Sequence, residues 1–113
     1  MLKKENRLTK RKEIDEAFKK GKSSFDKVLG VKVSKTENKI NRFAIIISAK
    51  VSKKAVIRNR KKRQLREIIR HHLPELKPGF DFFILGLPAI ADAQYHEIEH
   101  ALLQHFRKLK ILK

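Results

Sequence analysis

Lys50-Val51-Ser52-Lys53-Lys54-Ala55-Val56-Ile57-Arg58-Asn59-Arg60-Lys61-Lys62-Arg63-Gln64-Leu65-Arg66-Glu67 holds nine Lys and Arg residues between positions 50 and 66 and no acid before Glu67. An α-helix turns about 100° per residue, which sorts these positions onto faces. Ile57, Leu65, Ile68 and Ile69 gather on one side. Arg58, Asn59, Lys62, Arg63, Arg66 and Arg70 gather on the other. The pattern predicts a folded helix from near Lys54 to about His72, with an inner face in the core and a fixed basic ridge outside. Lys61 is the misfit. It projects from the apolar side, where it would snorkel outward or meet a partner from another angle.

The flanks predict a sheet. Leu29, Val31 and Val33 alternate along Val28–Val33, which reads as a strand with these three on one face. Ser34–Asn41 is a polar turn. Phe43–Ser48 (Phe-Ala-Ile-Ile-Ile-Ser) reads as a central strand buried on both faces, and Phe80–Leu85 as another buried strand after Pro74 and Pro78-Gly79. A short helix is expected over Thr9–Lys20, from Ile14, Ala17 and Phe18, with Thr9 as N-cap and Gly21 after its end. A last helix follows Asp92 as its cap, with Ile98, Ala101, Leu102, Phe106 and Leu109 as one apolar stripe. The fold class is α+β, helices packed on a small sheet.

The 113 residues fit one domain, 1–113, and 41% hydrophobic residues suffice for a modest core. The net charge is +17, from 29 Lys and Arg against 12 Asp and Glu. Residues 1–70 hold 24 basic and 7 acidic residues and carry all of that excess; residues 71–113 hold five of each. Charge this concentrated opposes folding by self-repulsion, and a polyanion partner explains it. Nucleic acid fits better than an anionic membrane, which favours a basic helix with Trp, Phe or Leu opposite. A major-groove DNA reader would use a few base-reading side chains, whereas this ridge is mostly phosphate chemistry. Arg offers a bidentate fork, Lys a point charge, and Asn59 both a donor and an acceptor for a sugar hydroxyl or base edge.

Several classes are excluded. With no cysteine there is neither a disulfide framework nor a Cys-ligated zinc site. Phe82–Ala91, the longest mostly apolar stretch, is broken by Gly86 and Pro88 and is too short to span a bilayer. No apolar segment follows Met1-Leu2-Lys3-Lys4-Glu5, so no signal peptide is read and a cytoplasmic location is expected. His96-Glu97-Ile98-Glu99-His100 matches the zinc-protease pattern H-E-x-x-H. It lacks a third ligand: residues 101–113 contain no acid, position 106 is Phe, and His105 falls one residue short of the extended motif. His96 and His100 also oppose the apolar stripe, so surface histidines are expected, with no metal and no catalytic residue.

The run from Lys50 to Glu67, centred on Arg58-Asn59-Arg60, resembles the signature of the bacterial ribonuclease P protein family. Arg7-Leu8 before a short helix containing Phe18 resembles the family's opening, and length and element order agree over nearly the whole chain. The resemblance implies a two-layer α/β sandwich in the order α-β-β-β-α-β-α. It implies a mixed sheet, the ribosomal protein S5 domain 2-like fold and a left-handed β-α-β crossover. It implies a noncatalytic subunit that binds the catalytic ribonuclease P RNA, one protein per RNA, and the 5′ leader of precursor tRNA. Mg²⁺ would be held mainly by RNA. Lys53, Lys54, Arg58, Asn59, Arg60, Lys62, Arg63 and Arg66 would face RNA. Ile14, Phe18 and Val31 match the family's leader cleft, between the first helix and the sheet. Two of these positions are often aromatic in the family and are Ile14 and Val31 here, which removes stacking of about 1–3 kcal/mol per base. Phe18 remains for stacking, although a Phe beside Ile14 at helical spacing is equally a packing residue. The competing reading is another basic RNA-binding protein, such as a ribosomal one.

Overall fold

The structure, a computed structural model, describes residues 6, 7, 21–37 and 39–113. Its strands are β1 (Lys22–Phe25), β2 (Leu29–Lys35), β3 (Arg42–Ile47) and β4 (Phe80–Gly86); its helices are α1 (Ala55–His72) and α2 (Tyr95–Lys108). The helix expected over Thr9–Lys20 lies outside the described residues. The sheet order is β1-β2-β4-β3. β1–β2 and β2–β4 are antiparallel and β3–β4 is parallel, so the sheet is mixed. The parallel pair is joined through α1, a β-α-β crossover between neighbouring strands.

Both helices cover one face of this sheet. Leu29, Val31 and Val33 of β2, Phe43 and Ile47 of β3, and Phe82 and Ile84 of β4 meet Leu65, Ile68 and Ile69 of α1 and Ile98, Leu102 and Phe106 of α2. Phe82 is the hub: it stacks on Phe43 at 4.5 Å and meets Phe106 edge-on at 5.5 Å. The opposite face carries a smaller cluster around Ala44 and Phe83. β4 is therefore central and buried on both sides, whereas β3 is an edge strand. This corrects the reading of Phe43–Ser48 as central. Its apolar run fits a central strand by composition, but Ile46 remains 37% exposed.

β1 has no apolar alternation, so nothing in its own residues locates it. Pairing holds it instead, and Asp26 closes the hairpin: its Oδ1 accepts the N–H groups of Val28 (2.7 Å) and Leu29 (2.8 Å). The Phe25 ring lies over Gly30, where an added Cβ would sit 2.2 Å from a ring carbon. The sheet's other end is clipped by buried Asn41. Its Nδ2 donates to Lys77 O (2.9 Å), its Oδ1 accepts Phe80 N–H (2.9 Å), and its own carbonyl accepts Asn6 Nδ2 (2.8 Å). Beside it, Arg42 grips Asp81 with two parallel hydrogen bonds of 2.9 and 2.8 Å.

α2 starts two residues later than an Asp92 cap requires. Asp92 ends a 3₁₀ turn, Pro88–Asp92, and Gln94 is the N-cap. Glu97 Oε1 accepts the Gln94 N–H at 2.9 Å, half of a capping box. Of the expected stripe, Ile98, Ala101, Leu102 and Phe106 are buried as their spacing predicts, whereas Leu109 is the C-cap and half-buried. His105 joins it at 1% exposure, a burial the polar residue type conceals. Its Nδ1 bonds Ser24 Oγ at 2.7 Å, and Nε2 lies 3.0 Å from Asp26 Oδ2, so it ties α2 to the β1 hairpin.

Candidate nucleic-acid interface

α1 is positioned by Leu65, Ile68 and Ile69, all fully buried. Its start follows from a local turn in which Ser52 Oγ accepts the Lys54 N–H at 3.1 Å. Pro74, in the 3₁₀ turn Leu73–Glu75, ends it. With the inner face anchored, the outer face has a fixed orientation. Asn59, Lys62, Arg63, Arg66 and Glu67 line a hollow of about 440 Å³ along it. Three cations and one amide thus converge on a single concavity.

The ridge is not uniform. Arg58 Nη1 donates to Ser52 O at 2.7 Å, so this guanidinium braces the loop before the helix and is half-buried. Arg60 and Arg63 are exposed, as are Lys53 and Lys54 at the helix start. Arg70 Nη2 meets Glu67 Oε1 at 3.1 Å, which leaves Arg70 partly neutralised at the ridge's far end. The Arg70 hydrogen bond and charge hold the Glu67 carboxyl below the usual range. Glu67 is the one acid on the hollow's rim.

Lys61 takes neither of the two routes its position suggests. It is only 7% exposed, and its Nζ donates to Ala93 O at 2.7 Å. Burial, and then the neighbouring Arg60 charge, push its pKa below the ordinary lysine value, against an opposing pull from Asp92 and Glu97. It is a fastener between α1 and the segment leading into α2. No residue-type signal separates such a lysine from a ridge lysine; only its angle on the apolar side does.

The three cleft positions are not brought together among the described residues, since Ile14 and Phe18 lie outside them. Val31 has 0% exposure and sits on the face packed by α1 and α2. Its side chain is core and does not line the sheet's other face. Alternation along β2 puts Gly30 and Lys32 on that other face, next to Phe25 and Phe83. His96 and His100 are exposed on α2, and Glu97 is occupied as a cap.

Comparison with known proteins places the sequence and the fold in one family. A family model described as Ribonuclease P matches residues 2–110. The ribonuclease P protein component of Clostridium botulinum (strain Langeland) is 37% identical over 109 residues, 96% of this chain and 97% of that protein. The Synechocystis component is 46% identical over 72 residues, 64% of this chain and 58% of that protein. The Staphylococcus aureus RNase P protein has the same fold, with a TM-score of 0.87 at 24% identity over 96% of this chain and 98% of that one. The chain belongs to the ribonuclease P protein family, the protein component of the enzyme that processes the 5′ end of tRNA.

Proposed function

We propose that the outer face of α1 binds the ribonuclease P RNA and that the protein, one copy per RNA, helps hold the 5′ leader of precursor tRNA. Residues 1–113 act as one RNA-binding domain in this reading. Lys62, Arg63 and Arg66 take phosphate oxygens in the hollow and Asn59 a sugar hydroxyl or base edge. Arg60, Lys53 and Lys54 extend the contact toward the helix start, and Arg58 contributes from its braced position. Ile14 and Phe18 contact the leader in this reading, as the family resemblance implies. The observation that carries the reading is the convergence of Asn59, Lys62, Arg63 and Arg66 on one anchored concavity.

RNA, and not the protein, performs the hydrolysis and holds the Mg²⁺ in this reading. The donor set supports that division. Six of the eight described carboxylates are engaged: Asp81 by Arg42, Glu67 by Arg70, Glu75 and Glu99 by His72, Glu97 by the α2 cap, and Asp26 by backbone N–H groups; the other two, Glu37 and Asp92, belong to no metal-holding cluster among the described residues. The site of action is the cytoplasm. No helix among the described residues is long and apolar enough to cross a membrane. The test is reconstitution with a bacterial ribonuclease P RNA and precursor tRNA at low Mg²⁺. Faster cleavage than with RNA alone is expected; no gain would overturn the proposal.

A further inference from the structure

A second basic hollow lies where the end of α2 meets the sheet. Lys22 of β1, Val33 and Lys35 of β2, Phe80 of β4, and Leu109 and Lys110 after α2 line about 390 Å³. Cross-strand register places the sheet's share on one face, with Lys22 opposite Val33 and Lys35 opposite Phe80. Phe80, half-buried, is tilted against Phe82 at 6.3 Å and is thereby held in place. None of the three ammonium groups has an ion-pair partner among the described residues.

Lys110 carries the strongest signal. Its φ is 58°, the left-handed region that glycine occupies without strain. The surrounding hydrogen bonds require that conformation: Ile111 N–H bonds Phe106 O at 3.2 Å, and Lys110 N–H bonds Arg107 O at 3.1 Å. A lysine at the position where glycine is the usual solution bears strain, and such strain tends to collect where a side chain is needed. The same bonds, with Leu109 N–H on His105 O, satisfy carbonyls that would otherwise repel an anion at a helix C-terminus.

We propose that this hollow binds one nucleotide of an RNA strand, its phosphates on Lys22, Lys35 and Lys110 and its base against Phe80 and Leu109. The ligand class rests on the ribonuclease P reading; the site does not, since no α1 residue lines it. α1 packs toward β3, α2 packs toward β2 and β1, and β3 and β1 are opposite edges of the sheet. A protein with RNA at both places would join two separate RNA segments.

The experiment follows backbone amides by NMR while a single-stranded hexaribonucleotide is added to Arg60→Ala/Arg66→Ala protein, in which the ridge is weakened. Saturating shifts at Lys22, Lys35, Phe80 and Lys110 are expected whether or not the ridge itself binds RNA. Shifts confined to α1 would overturn the proposal. So would equal affinity for adenosine 5′-monophosphate, or a response only to phosphatidylglycerol vesicles. Lys22→Gln/Lys35→Gln/Lys110→Gln should flatten the salt dependence of hexanucleotide binding by about 1.4 in log–log slope, at roughly 0.7 for each of the two phosphates that flank one nucleotide. Lys110→Gly separates a binding role from a structural one: the unfolding midpoint should rise while hexanucleotide affinity falls. A raised midpoint with unchanged affinity would sink the idea.

Discussion

His72 sits between two carboxylates from different elements. Its Nδ1 contacts Glu75 Oε2 and its Nε2 lies 2.8 Å from Glu99 Oε2, so it links the end of α1 to α2. Burial opposes protonation, but the hydrogen bonds to Glu75 and Glu99 outweigh it and raise the pKa above the ordinary 6.5. A base with a raised folded pKa stabilises fully below its unfolded value and loses that contribution as pH climbs through the folded one. Wild-type protein should therefore exceed His72→Leu in stability most at about pH 5.5, and the gap should narrow by about pH 8.5, as urea unfolding at each pH will read. A gap that is constant with pH would mean that packing, not charge, sets the role of His72. Asn41 makes a separate case because no ionisation is involved. Asn41→Ala leaves Phe80 N–H and Lys77 C=O without their partner and should cost about 2–4 kcal/mol in the same assay. Val31 and Lys32 show how finely such assignments depend on register. A shift of one residue in a strand exchanges core and outer face, so Val31 is core while its neighbour Lys32 lies on the opposite face.

α1 shows what a periodic pattern can disclose. Its observed span, Ala55–His72, follows the expected one because eighteen residues of helical spacing outweigh any single ambiguous position. The ridge is legible for the same reason: charges opposite Leu65, Ile68 and Ile69 have nowhere else to point. β1 is illegible because Lys-Ser-Ser-Phe contains no buried face; β2 supplies its partner through long-range pairing. The edge position of β3 is also hidden, since an Ile-rich run has the same composition in either place. The Asp92 cap fails because Pro88 nucleates a 3₁₀ turn that consumes Asp92 before α2 begins. The anchoring of α1 makes its own prediction. Leu65→Ala removes a fully buried side chain opposite the ridge and should destabilise by about 2–5 kcal/mol in urea unfolding. Among molecules still folded, RNA affinity should fall far less than in Arg66→Ala, because every ridge residue is still present. A comparable loss in both would show that the core side of the helix is part of the binding energy.

Across the molecule, the +17 charge invites a diffuse explanation in which any polyanion is attracted to the whole surface. The geometry favours a local one. Screening at physiological salt acts over about 8 Å, so charges on distant parts of this 37 × 27 × 24 Å body cannot substitute for a cation seated against a phosphate. Deleting one phosphate-binding cation from the ridge should then take about 0.9 off the slope of log affinity against log salt for helical RNA, whatever the remaining net charge. Arg60→Ala and Arg66→Ala are the ridge variants; Lys113→Ala removes the same charge from an exposed position that lines neither basic hollow. Filter binding to ribonuclease P RNA over a range of KCl concentrations measures all three. The two arginine variants should flatten the slope and Lys113→Ala should leave it unchanged. Three equal reductions would mean that the RNA senses total charge, and the ordered convergence of Asn59, Lys62, Arg63 and Arg66 would then have no bearing on binding.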